Sequence, residues 1–193
     1  APRKQGQNPV FPYFQVCAMF FNRHKSALDD LQQTLTQQNG LLDAINRSMA
    51  VIEFDLDAVV LSANDNFLKT MGYRAEQAIG QPHRLFCTPE FGRSAQYSEL
   101  WSRLKRGEFQ SGTFERINSK GESVWLEASY NPIKDVAGRV VKVVKYAMDV
   151  TAKVQQESEA NAKLEAIDRA MAVIEFNLDG SIITANQNFL TRM

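Results

Sequence analysis

Two thirty-residue stretches of this 193-residue chain are near copies of each other. Residues 42–71 read LDAINRSMAVIEFDLDAVVLSANDNFLKTM, and residues 164–193 read LEAIDRAMAVIEFNLDGSIITANQNFLTRM, with 18 of 30 positions identical and no gap. Ile52 matches Ile174, Asn64 matches Asn186 and Phe67 matches Phe189, an offset of 122 residues. Identity this dense at a fixed offset marks a tandem duplication. Whatever the first unit folds into must begin with the segment that also begins the second. The expectation is one complete unit and the start of a second, truncated one, in a piece of a longer protein.

The repeated segment has a clear local reading. Val51–Asp55 is rich in β-branched and aromatic residues and suits a strand. Leu56-Asp57 turns the chain, and Ala58–Ser62 returns as a second strand. Asn64 can cap a helix to Met71, which Gly72-Tyr73 ends. Short helical pieces are expected over Ala75–Ile79 and Pro82–Phe86. A longer helix runs over Ser94–Arg106, with Tyr97, Leu100, Trp101 and Leu104 on one face. Three strands close the unit: Phe109–Ile117, Ser123–Ile133 and Arg139–Val150, with hairpin signals at 118–121 and 135–138. On the middle strand Val124, Leu126, Ala128 and Tyr130 face one way, and Trp125, Glu127, Ser129 and Asn131 the other. The last strand reads as apolar on both faces, which implies cover on both.

Composition removes several function classes. Lys and Arg number 22, Asp and Glu also 22, and the net charge is zero. A non-specific nucleic-acid binder needs a surplus of cations to displace counterions. No apolar run reaches the roughly 20 residues of a membrane helix, and two cysteines, Cys17 and Cys87, make neither a disulfide framework nor a zinc site. A cytoplasmic protein is expected. Arg3 and Lys4 precede an apolar patch from Val10 to Phe21, but Pro12 and Gln15 interrupt it, so a secretory leader is not expected. Residues 1–18 read as disordered or foreign to the native chain. Residues 19–49 follow as an amphipathic helix: Leu28, Leu31, Leu35, Gln38, Leu42, Ile45 and Met49 alternate at spacings of three and four, the seam of a coiled coil. The helix either joins two copies in a homodimer or packs on its own domain.

The order of two strands, several short helices and three antiparallel strands resembles the PAS fold. The residues agree: Asn64-x-x-Phe67, Gly121-x-x-x-Trp125, Asn131-Pro132-Ile133 and Asp149-Val150-Thr151. More narrowly, the chain is similar to the PAS modules of bacterial chemotaxis transducers and biofilm-dispersion regulators, and to the flavin-binding PAS of Aer-like energy-taxis receptors. Gly80-Gln81-Pro82-His83, Leu100–Leu104 and Lys105–Glu108 leading to Ser111-Gly112 carry the flavin likeness. The resemblance implies an α+β PAS fold, a five-stranded antiparallel sheet with short helices on one face, flanked by N-terminal and linker helices. The domains are then 50–151 for the PAS unit, 152–171 for a linker helix and 172–193 for the start of a second PAS unit.

The resemblance also implies a cofactor, FAD, with His83 and Trp101 in its site. An indole can pack on isoalloxazine and an imidazole can hydrogen-bond it; Arg84 can face the pyrophosphate, and Asn64 is a further candidate. Gln110 stands where such flavin sites carry a second tryptophan. A light-sensing flavin-adduct mechanism is not expected, since His83 occupies the position of the photoactive cysteine and Leu126 that of the flavin-reading asparagine. His83 as a haem ligand, or a cofactor-free dimerisation and relay module, are the alternatives. Cys87 reads as a small buried hydrophobe or a redox thiol. No motif of hydrolase, nucleotide-binding or metalloprotease chemistry is present, so no catalytic residue and no metal site are assigned. The expected function is redox, oxygen or energy sensing, relayed to a chemotaxis-type or biofilm-dispersion output in a downstream signalling domain. Asp149 and Thr151 mark the signal exit, where the last strand becomes the linker helix.

Overall fold

The computed structural model describes the backbone of residues 12–192 and the side chains of residues 28–191. Two compact units divide at Ser48 and Met49. The first is one long helix, α1 (Pro12–Ser48). It starts before the expected boundary at residue 19; residues 1–11 lie outside the described residues. Leu28, Leu31, Leu35 and Leu42 on its seam are each half or more exposed.

The second unit begins with β1 (Ala50–Phe54) and β2 (Val60–Ala63). A helical layer follows: α2 (Asp65–Met71), α3 (Ala75–Ala78), a single 3₁₀ turn at His83–Phe86, α4 (Pro89–Arg93) and α5 (Ala95–Lys105). Then come β3 (Gln110–Ile117), β4 (Ser123–Lys134) and β5 (Val140–Asp149). The five strands form one antiparallel sheet in the order β2-β1-β5-β4-β3. That is the expected PAS architecture. The chain continues through α6 (Thr151–Ala170), β6 (Ile174–Phe176), β7 (Ile182–Ala185) and α7 (Gln187–Arg192).

Register decides what faces the helices. Phe54 pairs with Val143, Ile52 with Lys145 and Ala50 with Ala147; Tyr130 pairs with Lys145 and Ala128 with Ala147. All of these are buried. Side chains alternate along a strand, so this face is the inner one. Phe67, Met71, Phe86, Tyr97, Trp101 and Leu104 pack down on it from the helices. The outer face is partly polar: Lys142 holds Glu53 across β1 and β5 at 2.9 Å, and Met148 is 55% exposed. Here β5 departs from expectation. Its inner face carries a lysine, Lys145, and its outer face is open at Met148, so the strand is not apolar on both sides.

Asn64 ties the first elements together. Its Oδ1 accepts from the Phe67 amide, capping α2, and from the Val51 amide, both at 2.9 Å. Its Nδ2 donates to the Met49 carbonyl at 2.8 Å. Asn186 repeats the motif, accepting from Val173 and Phe189 at 2.9 Å. The β6–β7 ladder likewise repeats β1–β2, with Ile174 opposite Ala185 and Phe176 opposite Ile182, matching Ile52 opposite Ala63 and Phe54 opposite Val60. Even the register irregularity recurs at the same place. The turn before β2 shows one difference between the copies: Ala58 sits at φ 64°, and the matching residue is Gly180 at φ 84°. At the exit of the sheet, Asp149 Oδ1 accepts from the Thr151 amide at 2.9 Å, and Thr151 Oγ1 accepts from the Trp125 amide at 2.9 Å. The first turn of α6 is thereby latched to β4.

Replacing Asn64 by Ala leaves the Val51 and Phe67 amides without their acceptor and the Met49 carbonyl with Asn66 Nδ2 alone, at 3.2 Å. A lost cap and unsatisfied part-buried groups together cost about 2–3 kcal/mol. Urea unfolding should show that loss in Asn64→Ala, with the slope of the transition unchanged.

Candidate functional site

Between helices and sheet lies a polar cluster inside an otherwise apolar core. His83, Arg116 and Lys145 are the buried charged or titratable polar residues among those described, each no more than 2% exposed. Each reaches the same place from a different element. Pro82 leads into the 3₁₀ turn, and the His83 amide donates to the Ala58 carbonyl at 2.7 Å, which turns the imidazole inward. Arg116 lies on the inner side of β3, opposite Val124, and Lys145 lies directly opposite Tyr130.

Tyr130 is the hub. Arg116 Nη2 donates to its hydroxyl at 3.0 Å, and His83 Nε2 lies 3.1 Å from the same oxygen. The Tyr130 hydroxyl either donates to Nε2, with the hydrogen on Nδ1, or accepts from Nε2–H, with Nδ1 as the acceptor. Nδ1 faces Cys87 Sγ at 3.6 Å, and Cys87 in turn donates to the His83 carbonyl at 3.6 Å. The Lys145 ammonium sits 4.8 Å from the centre of the Tyr130 ring. The Arg116 guanidinium lies between Phe91 and Phe114, 5.1 and 5.0 Å from their centres. Cation–π attraction of this kind offsets part of the cost of burying charge.

The electrostatics follow from burial without acids. Desolvation holds His83 well below its ordinary value of 6.5, and the positive charges of Arg116 and Lys145 push the same way; the imidazole is neutral. Burial lowers Lys145, and the nearby Arg116 adds to that against the pull of Tyr130. For Tyr130 burial acts upward, but Lys145 and Arg116 together outweigh it and the net direction is down. Burial raises Cys87, so it is a thiol rather than a reactive thiolate.

His83 and Trp101 do come together as expected, their rings 5.5 Å apart, with Phe54 edge-on to both. Tyr97 stacks on His83 at 5.6 Å, and Arg84 lies over Tyr97 at 4.8 Å. Arg84, Tyr97 and Trp101 line one side of an open cleft of about 240 Å³, with Pro82, Asp57 and Lys105 around it. Asn64 stands apart from this group, its amide committed to the backbone of β1 and α2. Neither ring nitrogen of His83 is open: Tyr130 takes one and Cys87 the other. An axial haem ligand must present a nitrogen to iron, so this arrangement does not favour the haem alternative. Arg116, Tyr130 and Lys145 are not singled out by any sequence motif; their signal is a cation or phenol at an inward position of the strand alternation.

Two donors in this core lack a hydrogen-bond partner: Arg116 Nε and the Trp101 indole N–H. The indole is directed toward the Tyr97 hydroxyl without reaching hydrogen-bond geometry. Buried donors without acceptors are rare in folded proteins and call for an explanation. The set is made of donors, which fits a ring rich in acceptors such as a flavin. Among the described residues no group of three His, Cys, Asp or Glu can hold a metal ion, and no helix is long and apolar enough to cross a membrane.

Comparison with known proteins agrees with the fold. The PAS-fold family profile matches residues 60–147. The biofilm dispersion protein BdlA of Pseudomonas aeruginosa is 50% identical over 150 residues, 78% of this chain and 36% of that protein. The aerotaxis receptor of Escherichia coli is 31% identical over 99 residues, 51% of this chain and 19% of the receptor. The chain thus spans about a third of one curated relative and a fifth of the other. A PAS domain from Colwellia psychrerythraea superposes with a TM-score of 0.53 at 24% identity, over 62% of this chain and 98% of that one. The chain thus has a PAS fold and is similar, over part of their length, to a biofilm dispersion protein and an aerotaxis receptor.

The neutral His83 has a consequence for acid stability. Its proton affinity is lowered in the folded state, so below 6.5 the unfolded chain binds the extra proton and the fold does not. Stability therefore falls as the pH drops from 6.5 toward about 5, by up to about 1.4 kcal/mol per pH unit. His83→Phe should flatten that slope in denaturant titrations across the window. The readout is the slope, not the absolute stability.

Proposed function

We propose that this chain is the cytoplasmic sensory input part of a longer signalling protein, which follows redox, oxygen or energy state through FAD bound in the PAS core. The observation that carries the reading is the pairing of the His83 imidazole with Trp101, whose buried indole N–H lacks a hydrogen-bond partner, beside the open cleft that Arg84 lines. His83 and Trp101 would hold the isoalloxazine, and Arg84, on the rim of the cleft, offers charge to the pyrophosphate. Such a cofactor supplies reversible electron transfer, which is what a redox sensor needs. The 31% identity to a receptor named for aerotaxis supports the same reading.

The output half of the proposal rests on α6. Asp149 and Thr151 fasten its first turn to β4 through the Trp125 amide, and the Val150 amide donates to the Trp125 carbonyl at 2.8 Å, so a shift of the sheet reaches the helix through this pair of hydrogen bonds. Beyond it, β6, β7 and α7 are read as the start of a second PAS unit, because pairing, irregularity and cap all repeat those of the first. A chemotaxis-type or biofilm-dispersion output downstream is consistent with the 50% identity to BdlA.

Protein purified from cells grown with riboflavin should be yellow and release FAD on denaturation, counted by absorbance. Trp101→Ala and Arg84→Ala should each lower the flavin content at least tenfold. Colourless protein that takes up no FAD on reconstitution would overturn the cofactor and leave the relay module.

Assembly is the second part of the proposal. The exposed leucine seam of α1 would be buried between two copies in a homodimer. Leu35→Asp combined with Leu42→Asp should halve the mass seen by light scattering; an unchanged mass would show that the seam is not the dimer contact.

A further inference from the structure

Arg116 and Lys145 raise a question that the flavin reading does not answer. Each is 2% exposed, and no carboxylate is buried with them among the described residues. The ion pairs of the PAS unit all involve other cations. Taking a charge out of water costs several kcal/mol unless an opposite charge or a full set of hydrogen bonds replaces the solvent. Arg116 gets less than a full set: Nη1 donates to the Glu115 carbonyl at 2.6 Å and Nη2 to Tyr130 at 3.0 Å, but Nε meets nothing.

The two cations are not scattered. Lys145 is the direct cross-strand partner of Tyr130, and Arg116 bonds the same phenol. Register alone brings a guanidinium, an ammonium and a hydroxyl to one spot on the inner face. We propose that the buried Arg116–Tyr130–Lys145 constellation is an anion-binding centre that takes a short carboxylate, of acetate to succinate size. A carboxylate is planar and delocalised, and a guanidinium edge with a free Nε–H matches it better than a point cation would. The phenol adds a donor in the tautomer where His83 Nε2 carries the hydrogen, and the neutral His83 behind it adds no competing charge. Such an anion replaces the missing acid: a monocarboxylate cancels one of the two positive charges and a dicarboxylate both.

The size limit and the route follow from the surroundings. Phe91 and Phe114 flank the guanidinium and the Tyr130 ring lies beside the ammonium, so a ligand seated between these groups is a small one. The cleft of about 240 Å³ is one aromatic layer away. Its Tyr97 and Trp101 walls touch His83, which bonds Tyr130. At that cleft Lys105 is paired with Asp57 at 3.4 Å, and Arg84 is the cation left to attract anions. The proposal goes beyond the flavin reading and does not need a flavin to be present.

The test is the thermal midpoint of the 193-residue protein titrated with acetate and with succinate, against chloride and sulfate at matched ionic strength. A saturable rise of about 5 °C or more with a carboxylate, absent with chloride, is expected. Arg116→Leu and Lys145→Met should abolish the rise while keeping the fold, since removing buried charge is often tolerated. Tyr130→Phe should weaken it at least tenfold in half-saturating concentration. If a variant fails to fold, line broadening of ¹³C-labelled acetate by the unaltered protein decides in its place. Equal effects of all four anions, or a rise retained in the folded variants, would overturn the proposal. So would a tyrosinate absorbance at neutral pH that acetate does not reverse, because Tyr130 would then be the counter-anion itself. Flavin colour is scored on the same samples: colourless protein with a carboxylate shift sinks only the flavin, and yellow protein without one sinks only the anion centre.

Discussion

Folding this chain requires that Arg116 and Lys145 leave water in the company of one phenol. Tyr130 meets both, pairs across the sheet with Lys145, and bonds His83 from the helical side. Few other residues in the core join so many elements. If Tyr130 were apolar, Arg116 would keep only the Glu115 carbonyl and His83 only Cys87 as hydrogen-bond partners, leaving further buried polar atoms unsatisfied. The polar hub therefore fixes which strands lie side by side and which face of β5 turns inward. Conformational specificity is bought here with electrostatic strain.

The aromatic residues make that strain tolerable. Phe91 and Phe114 hold the guanidinium by their faces, and the Tyr130 ring lies under the ammonium. His83 is enclosed by Phe54, Tyr97, Trp101 and Tyr130. A ring quadrupole gives a cation some of what water gave, without bringing an acid that would lock the charge permanently. An unpaired but sheltered charge is what a reversible ligand site requires. A closed salt bridge would have no affinity to spare.

The proposed site and the root of α6 share one strand. The inner face of β4 carries Tyr130, and the same strand offers the Trp125 amide to Thr151 at the root of α6. The two points lie five residues apart in sequence. A rigid ladder of hydrogen bonds transmits small displacements along it better than a loop does, and an interface with two packings turns them into discrete states. Leu164 and Ile167 of α6, and Met171 just after it, are exposed, so this face of the helix is not covered by the described residues.

Much of this was legible beforehand. The repeat announced a strand–turn–strand–cap unit, and β1, β2 and the Asn64 cap fall within two residues of expectation, because their signals are local: β-branched runs, a turn, a side chain that reaches three residues ahead. His83 and Trp101 converge as the family likeness implied. Arg116 and Lys145 were not legible, and the last strand looked apolar on both faces. A cation reads as a surface residue until its partner strand is known, since parity along a strand assigns a face but not which face is buried. The sequence by itself determined the elements, their order and the duplicated start. Only the tertiary structure decided that Tyr130 lies opposite Lys145 and within 3.0 Å of Arg116, because cross-strand register is a relation between residues far apart in the chain, set by how the whole inner face packs.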